Sequence, residues 1–241
     1  MKIVGIANNS FIDYPGKIAM VLFTYGCNMN CYYCHNRDII GKVPPKVVYT
    51  SENILQEIDK KKDFLDGVVI SGGEPTLNAD LPDFIKRIKE KNMLIKLDTN
   101  GTNPKMLQDL INDKLIDFIA MDIKAPKEKY SNMAGWNEQN GKELLVSTEK
   151  SIQIIKKSGI PYEFRTTFAP TLSKEDIISI ANWLVGEGLA PPEKYVIQQY
   201  RPPQTKHIDT RLSIPPHSKE YLEQTLANVQ NILPNSSLRG I

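Results

Sequence analysis

Cysteine is almost missing from this chain: 241 residues contain three, Cys27, Cys31 and Cys34. An odd and tightly grouped set excludes a fully paired disulfide framework, and with it the oxidising compartment that such frameworks need. Net charge is nearly missing too, at a formal +2, so the bulk electrostatics ask for neither nucleic acid nor an acidic membrane surface. No apolar run approaches the roughly 20 residues of a membrane-spanning helix, and the amino terminus lacks a charged-then-apolar signal pattern. What remains is an ordinary globular composition, 41% hydrophobic and 24% charged, in a length that suits one large α/β domain. Thiols reserved for a metal centre also need a reducing compartment, so the expected location is the cytoplasm.

The three cysteines form a C-x3-C-x2-C triplet on one short stretch. Three thiolates are one too few to complete the shell of a four-iron cluster. An iron without a protein ligand is a place where a small molecule can bind and receive an electron. A structural zinc site stands beside that reading, but it closes with four protein ligands. The obvious fourth, His35, is poorly placed as the immediate neighbour of Cys34. Inert buried thiols are the common fate of cysteine, yet they scatter through a core and do not gather on a loop. The spacing favours iron and sulfur.

Along the chain, short apolar runs alternate with longer segments of helical period. The runs predict strands at Ile18–Thr24, Gly67–Ser71, Leu94–Thr99, Phe118–Ile123, Tyr162–Phe168 and Tyr195–Gln199. Helices are predicted at Ser51–Lys62, Leu81–Asn92, Pro104–Asn112, Lys142–Ser158, Lys174–Gly186 and His217–Leu233. Ser51 and Ser173 read as caps, Pro104 suits a first helical turn, and Gly159 reads as a stop. Strand–helix alternation implies a parallel sheet with right-handed crossovers. Six units fall short of the eight of a closed barrel, so the expected fold is an α/β partial (β/α)6 TIM-like barrel. Its chemistry should gather at the carboxyl ends of the strands. Two stretches, Ala125–Gly141 with Trp136 and Arg201–Pro216 with its four prolines, read as long loops, either surface excursions or lids. His207 and His217 read as plain loop residues.

The second informative motif follows the second predicted strand: Gly72-Gly73-Glu74-Pro75. Two glycines let backbone groups approach a ligand closely, and Glu74 can accept a hydrogen bond from an ammonium. Alone this is a turn carrying a charge. Behind a three-cysteine loop, and after a strand, the chain resembles the radical S-adenosylmethionine enzymes. Asp13-Tyr14-Pro15-Gly16, Tyr33-Cys34-His35-Asn36, Asp98-Thr99-Asn100-Gly101 and Asp122-Ile123-Lys124 further resemble the activating enzymes of glycyl-radical enzymes. The resemblance runs from about Ile6 to Tyr200 and implies one radical SAM core domain over 1–241, with a carboxyl-terminal loop and helix. It is strongest toward the single-cluster activases of anaerobic ribonucleoside-triphosphate reductase, with pyruvate formate-lyase activases as near relatives. Three cysteines cannot fill the extra clusters of the multi-cluster activases.

The resemblance implies site residues. Cys27, Cys31 and Cys34 would hold a [4Fe-4S] cluster and serve catalysis. Tyr33 would lie near the adenine of S-adenosylmethionine, and Gly72, Gly73 and Glu74 would bind the methionyl amine. Lys124 and Arg165 would meet the carboxylate and ribose region. Arg201 falls near a position where the pyruvate formate-lyase activase carries a histidine. Asp98, Thr99, Asp122 and the Ala120 carbonyl form an oxygen set that suits a hard cation, Na+ or K+. As simpler readings, Asp98 caps a turn and Asp122 pairs with Lys124 on the surface. Asp13, expected near the cluster loop, is a substrate-peptide candidate with His35 and Asn36; a simple turn role suits Asp13 as well.

In the chemistry so implied, a reduced cluster cleaves the cofactor to methionine and a 5′-deoxyadenosyl radical, which takes a hydrogen atom from a partner's glycine. A glycine has no side chain to block approach. The expected partners are a glycyl-radical enzyme and a flavodoxin or ferredoxin donor. Two rivals stand beside this reading: a small-molecule radical enzyme such as 7-carboxy-7-deazaguanine synthase, and a non-catalytic iron–sulfur or zinc module.

Overall fold

The computed structural model describes residues 1–41, 46–136, 138–186, 194–202 and 214–241. Eight strands are present: β1 (Ile3–Ser10), β2 (Ala19–Thr24), β3 (Gly67–Gly72), β4 (Leu94–Thr99), β5 (Phe118–Asp122), β6 (Tyr162–Phe168), β7 (Tyr195–Gln199) and β8 (Ser236–Arg239). Seven α-helices accompany them: α1 (Ser51–Lys61), α2 (Leu81–Lys89), α3 (Pro104–Asn112), α4 (Tyr130–Ala134), α5 (Glu138–Lys157), α6 (Lys174–Val185) and α7 (Lys219–Gln230). All six predicted strands and all six predicted helices are found, with ends that differ by a few residues. From β2 to β7 each strand is followed by helix before the next strand, the repeat of a (β/α)6 fold.

The chain divides into two compact units, 1–28 with 38–99 and 103–120, and 29–37 with 100–102 and 121–241. In the first, β2, β3 and β4 pair in parallel, and β1 runs antiparallel to β2 with Ile3 opposite Thr24 and Ser10 opposite Ala19. Val68, Val69 and Ile70 of β3 are all buried, as expected of a parallel strand covered on both faces. Helix α2 buries Leu81, Phe84, Ile85 and Ile88, the spacing of one helical face. In the second unit, β6, β7 and β8 are parallel, with Phe164 opposite Tyr195 and Gln198 opposite Arg239. Helix α6 buries Ile177, Ile180, Ala181 and Leu184 at the same spacing.

Several expectations are corrected. The first helix is capped by Thr50, not Ser51: Thr50 accepts from the Asn53 amide, and Asn53 reaches back to the Thr50 amide. Ser173 does cap α6, with Asp176 completing the reciprocal pair. Strands β1 and β8 were not expected; β1 carries glycine and two asparagines in place of an unbroken apolar run, and β8 has four residues. The stretch 125–141 is not a loop. It holds a 3-10 turn at Lys127–Lys129, helix α4 and the start of α5. Most of 201–216 lies outside the described residues, as does His207. No helix among the described residues is long and apolar enough to cross a membrane.

Candidate active site

In the first unit, Cys27 sits on the loop that leaves β2, half-buried and unbridged. The glycine turn after β3 is tied to the same loop by backbone hydrogen bonds. Thr24 and Gly72 are in register. The Gly73 amide donates to the Thr24 carbonyl at 2.9 Å, and the Glu74 amide donates to the Gly26 carbonyl at 2.8 Å. Gly72 has φ +116°, which disfavours any residue with a Cβ. On Gly73 an added Cβ would fall 1.8 Å from the Gly26 oxygen. The glycines therefore let the turn pack backbone to backbone against Gly26, the residue that precedes Cys27.

Glu74 is 1% exposed. Its Oε1 accepts from the Thr76 amide at 3.1 Å, the Thr76 hydroxyl at 2.6 Å and the Thr99 hydroxyl at 2.8 Å. Those donors stabilise the charged form of the buried carboxylate and fix its rotamer. Asp98, at the end of β4, accepts from the Ser71 hydroxyl at 3.2 Å and is ion-paired with Lys96. Ala120 is fully buried in β5.

The second unit holds the rest of the cysteine loop. Cys31 is buried and Cys34 half-buried, and the Cys34 amide donates to the Cys31 carbonyl at 3.1 Å. Burial pushes both thiols above the usual range; for Cys31 the Lys124 charge opposes this, and for Cys34 the Asn36 backbone amide does. Two supports clamp the loop. The Asn30 amide donates to the Ala134 carbonyl at 2.8 Å, with Gly135 packed so close that a Cβ would lie 2.3 Å from the Asn30 oxygen. The Arg37 guanidinium donates to the Asn30 side chain and, at 3.4 Å, to the Cys31 carbonyl. Tyr32 shares a 2.6 Å hydrogen bond with Thr171.

Tyr33 is buried, and among the described residues its hydroxyl has no hydrogen-bond partner. Burial, with the nearby Cys31 and Asp122 charges, raises its pKa well above the ordinary value. Asp122 ends β5 between two cations: Arg165 Nε lies 2.9 Å from Oδ1 and Lys124 Nζ 3.1 Å from Oδ2. Burial alone would raise the Asp122 pKa; the Arg165 and Lys124 charges outweigh it and hold the carboxyl far below the usual range. Burial likewise works to lower Lys124, and Asp122 reverses it, keeping the ammonium charged. The Asp122–Lys124 pair foreseen as a surface contact is thus a part-buried triad.

Other expected residues have simpler surroundings. His35 and Arg201 are exposed, with Arg201 over Gly240. Asp13 bonds Ser10 in the turn between β1 and β2, at the amino end of β2. The cysteine loop leaves the carboxyl end, six residues and roughly 20 Å along that strand. His217 packs on Phe168 and Tyr221 and bonds the Leu172 carbonyl, a structural role. Reading the sequence missed Lys96, Glu163, Arg37 and Arg239. Lys96 and Glu163 had a signal, since each is a charge in a strand with an opposite charge two positions on, on the same face.

Comparison with known proteins accounts for this arrangement. The family model of the radical SAM superfamily matches residues 21–184. A Methanocaldococcus jannaschii protein, named by inference as a glycyl-radical enzyme activating enzyme, is 42% identical over 82% of this chain and 79% of its own length. The pyruvate formate-lyase-activating enzyme of Clostridium pasteurianum is 30% identical over 75% of each chain. Among solved structures, SuiB of Streptococcus suis bound to S-adenosylmethionine superposes with a TM-score of 0.66 at 15% identity, covering 89% of this chain and 48% of that one. QueE from Escherichia coli gives 0.54 at 16% identity, covering 100% and 94%. These likenesses show the α/β partial-barrel fold that the six strand–helix units announced. The chain belongs to the radical SAM superfamily, among its glycyl-radical enzyme activating enzymes.

Proposed function

We propose that this protein installs a glycyl radical in anaerobic ribonucleoside-triphosphate reductase. The observation that carries the reading is the cysteine loop on β2 tied by backbone hydrogen bonds to the Gly72-Gly73-Glu74 turn on β3. A triplet of unbridged thiols and a glycine turn packed backbone to backbone against their loop fit the cluster and the cofactor that the family uses. When bound, these groups supply the one-electron chemistry that takes a hydrogen atom from a glycine α-carbon. Cys27, Cys31 and Cys34 bind iron as thiolates. The Gly72–Gly73 backbone and Glu74 bind the methionyl amine. Lys124 and Arg165, oriented by Asp122, bind the cofactor carboxylate and ribose region, and Tyr33 packs by the adenine. The electron donor is a flavodoxin or ferredoxin, and the setting is the reducing cytoplasm.

The test is a search for a glycyl-radical doublet by electron paramagnetic resonance in a partner co-incubated under anaerobic conditions with protein, S-adenosylmethionine and reductant. A doublet in the reductase is expected. A doublet confined to pyruvate formate-lyase would transfer the assignment; the Clostridium pasteurianum relative and one from Escherichia coli K12, 33% identical over 52% of each chain, favour that second reading. Zinc in place of iron and sulfide in anaerobically purified protein would end the radical proposal, as would turnover of a small molecule with no partner protein.

A further inference from the structure

Asp98, Asp122, the Thr99 hydroxyl and the Ala120 carbonyl are hard oxygen donors of the kind that hold Na+ or K+. A bound cation needs carboxylate charge that is not already balanced. Neither carboxylate offers it. In the first unit, Lys96 is 1% exposed and its ammonium is ion-paired with Asp98 Oδ1, while Oδ2 accepts from Ser71. The ammonium also lies 6.0 Å from the Phe118 ring centre, over its face. Buried ammonium without a counter-charge is strongly unfavourable, so Lys96 is committed to Asp98. In the second unit, Arg165 and Lys124 take one oxygen each of Asp122. Thr99 turns its hydroxyl proton to Glu74. A metal ion added to either carboxylate would meet charge already balanced at Asp98 and exceeded at Asp122.

We propose that Lys96 is a built-in substitute for a monovalent cation: its ammonium neutralises and orients Asp98, and the enzyme works without Na+ or K+. Physically the exchange is sensible. An ammonium carries one positive charge, presents three donors, and on a strand stem is already in place when the cofactor arrives. A free ion must instead be captured from solution and stripped of water. This inference rests on Asp98 lying at the cofactor site; the iron-loaded enzyme and its binding isotherms test it apart from the glycyl-radical assay.

The affinity of the iron-loaded protein for S-adenosylmethionine is measured in sodium, potassium and choline chloride at equal ionic strength. Wild type should bind within about twofold in all three, and a loss of about tenfold in choline would overturn the proposal. Lys96→Met should lose about tenfold in choline and regain it, saturably, on adding Na+ or K+. Equal affinity of that variant in every salt would overturn it. Should Lys96→Met fail to fold, anomalous diffraction from wild-type crystals grown in rubidium chloride decides. No rubidium peak at Asp98 or Asp122 is expected, and a peak at either refutes the substitution. A protein with salt-independent cofactor binding that radicalises no partner would sink the proposed function and leave Lys96 in this role.

Discussion

Gly73 has no room for one more carbon. A Cβ there would overlap the Gly26 carbonyl, a backbone atom that cannot swing aside, and Gly72 occupies a conformation that alanine resists. Gly72→Ala should cost about 1–3 kcal/mol in denaturant unfolding, and Gly73→Ala more, since the β2 and β3 loops must part. At Asp122 the two flanking cations lower the folded-state pKa below that of the unfolded chain. Such a group stabilises the fold at every pH above its unfolded value of about 3.9, and the contribution is lost as pH falls from there. Lys124 shifts upward, so its contribution is intact below about 10.5 and fades only above it. Between those limits the triad's contribution is flat. Thermal melts from pH 3 to 7 should therefore show wild type gaining on Asp122→Asn with rising pH; parallel curves would contradict the triad. The cysteine triplet and the glycine turn were legible as motifs because residue type and spacing carry them. The partners of Glu74 were not, since Thr99 lies twenty-five positions away.

At the scale of elements, helix caps offer a clean test. Thr50→Ala should cost about 1 kcal/mol by chemical unfolding, while Ser51→Ala should change little. Sequence reading placed that cap one residue late because both Thr50 and Ser51 are good caps, and only the observed hydrogen bonds choose between them. The stretch 125–141 was missed for another reason. Its lysines, glycines and asparagine resemble loop chemistry, but tertiary contacts hold it helical: Lys129 pairs with Asp176 at 2.7 Å, and Tyr130 packs edge-on to Trp183. Its Ala134–Gly135 end braces the cysteine loop at Asn30. Gly135, in the left-handed conformation at φ +69°, ends α4 where Asn30 needs the Ala134 carbonyl. Gly135→Ala should lower stability by about 1–3 kcal/mol and reduce iron bound per chain after reconstitution. Full iron content with a lowered melting point would mean that the brace serves the fold alone.

At the scale of the whole molecule, the final strand is fastened by charge. Arg239 of β8 grips Glu163 of β6 through two hydrogen bonds, at 2.9 and 2.8 Å, and Glu163 is 1% exposed. Removing the guanidinium strands a buried carboxylate. Arg239→Met should cost about 3 kcal/mol, toward the low end for a broken buried pair because Arg239 itself is partly exposed. Glu163→Gln in the same background should recover part of that loss in urea unfolding; no recovery would place the effect in β8 pairing and not in the charge. The count of strand–helix units was readable from alternation, whereas β1, whose apolar run is broken by glycine and two asparagines, and β8, four residues long, became strands by pairing with β2 and β7.

By itself the sequence determined the class of fold, the cysteine triplet, the glycine turn and the acidic strand ends. Each depends on residue type and on spacing within a few positions, which the chain carries in one dimension. Tertiary structure alone decided which cation faces which carboxylate, how the cysteine loop is braced, and that Asp13 belongs to the far end of β2. The deciding contacts among them, Arg165 with Asp122 and Asn30 with Ala134, join residues tens of positions apart. Their energies depend on burial and distance, and neither exists until the chain has folded.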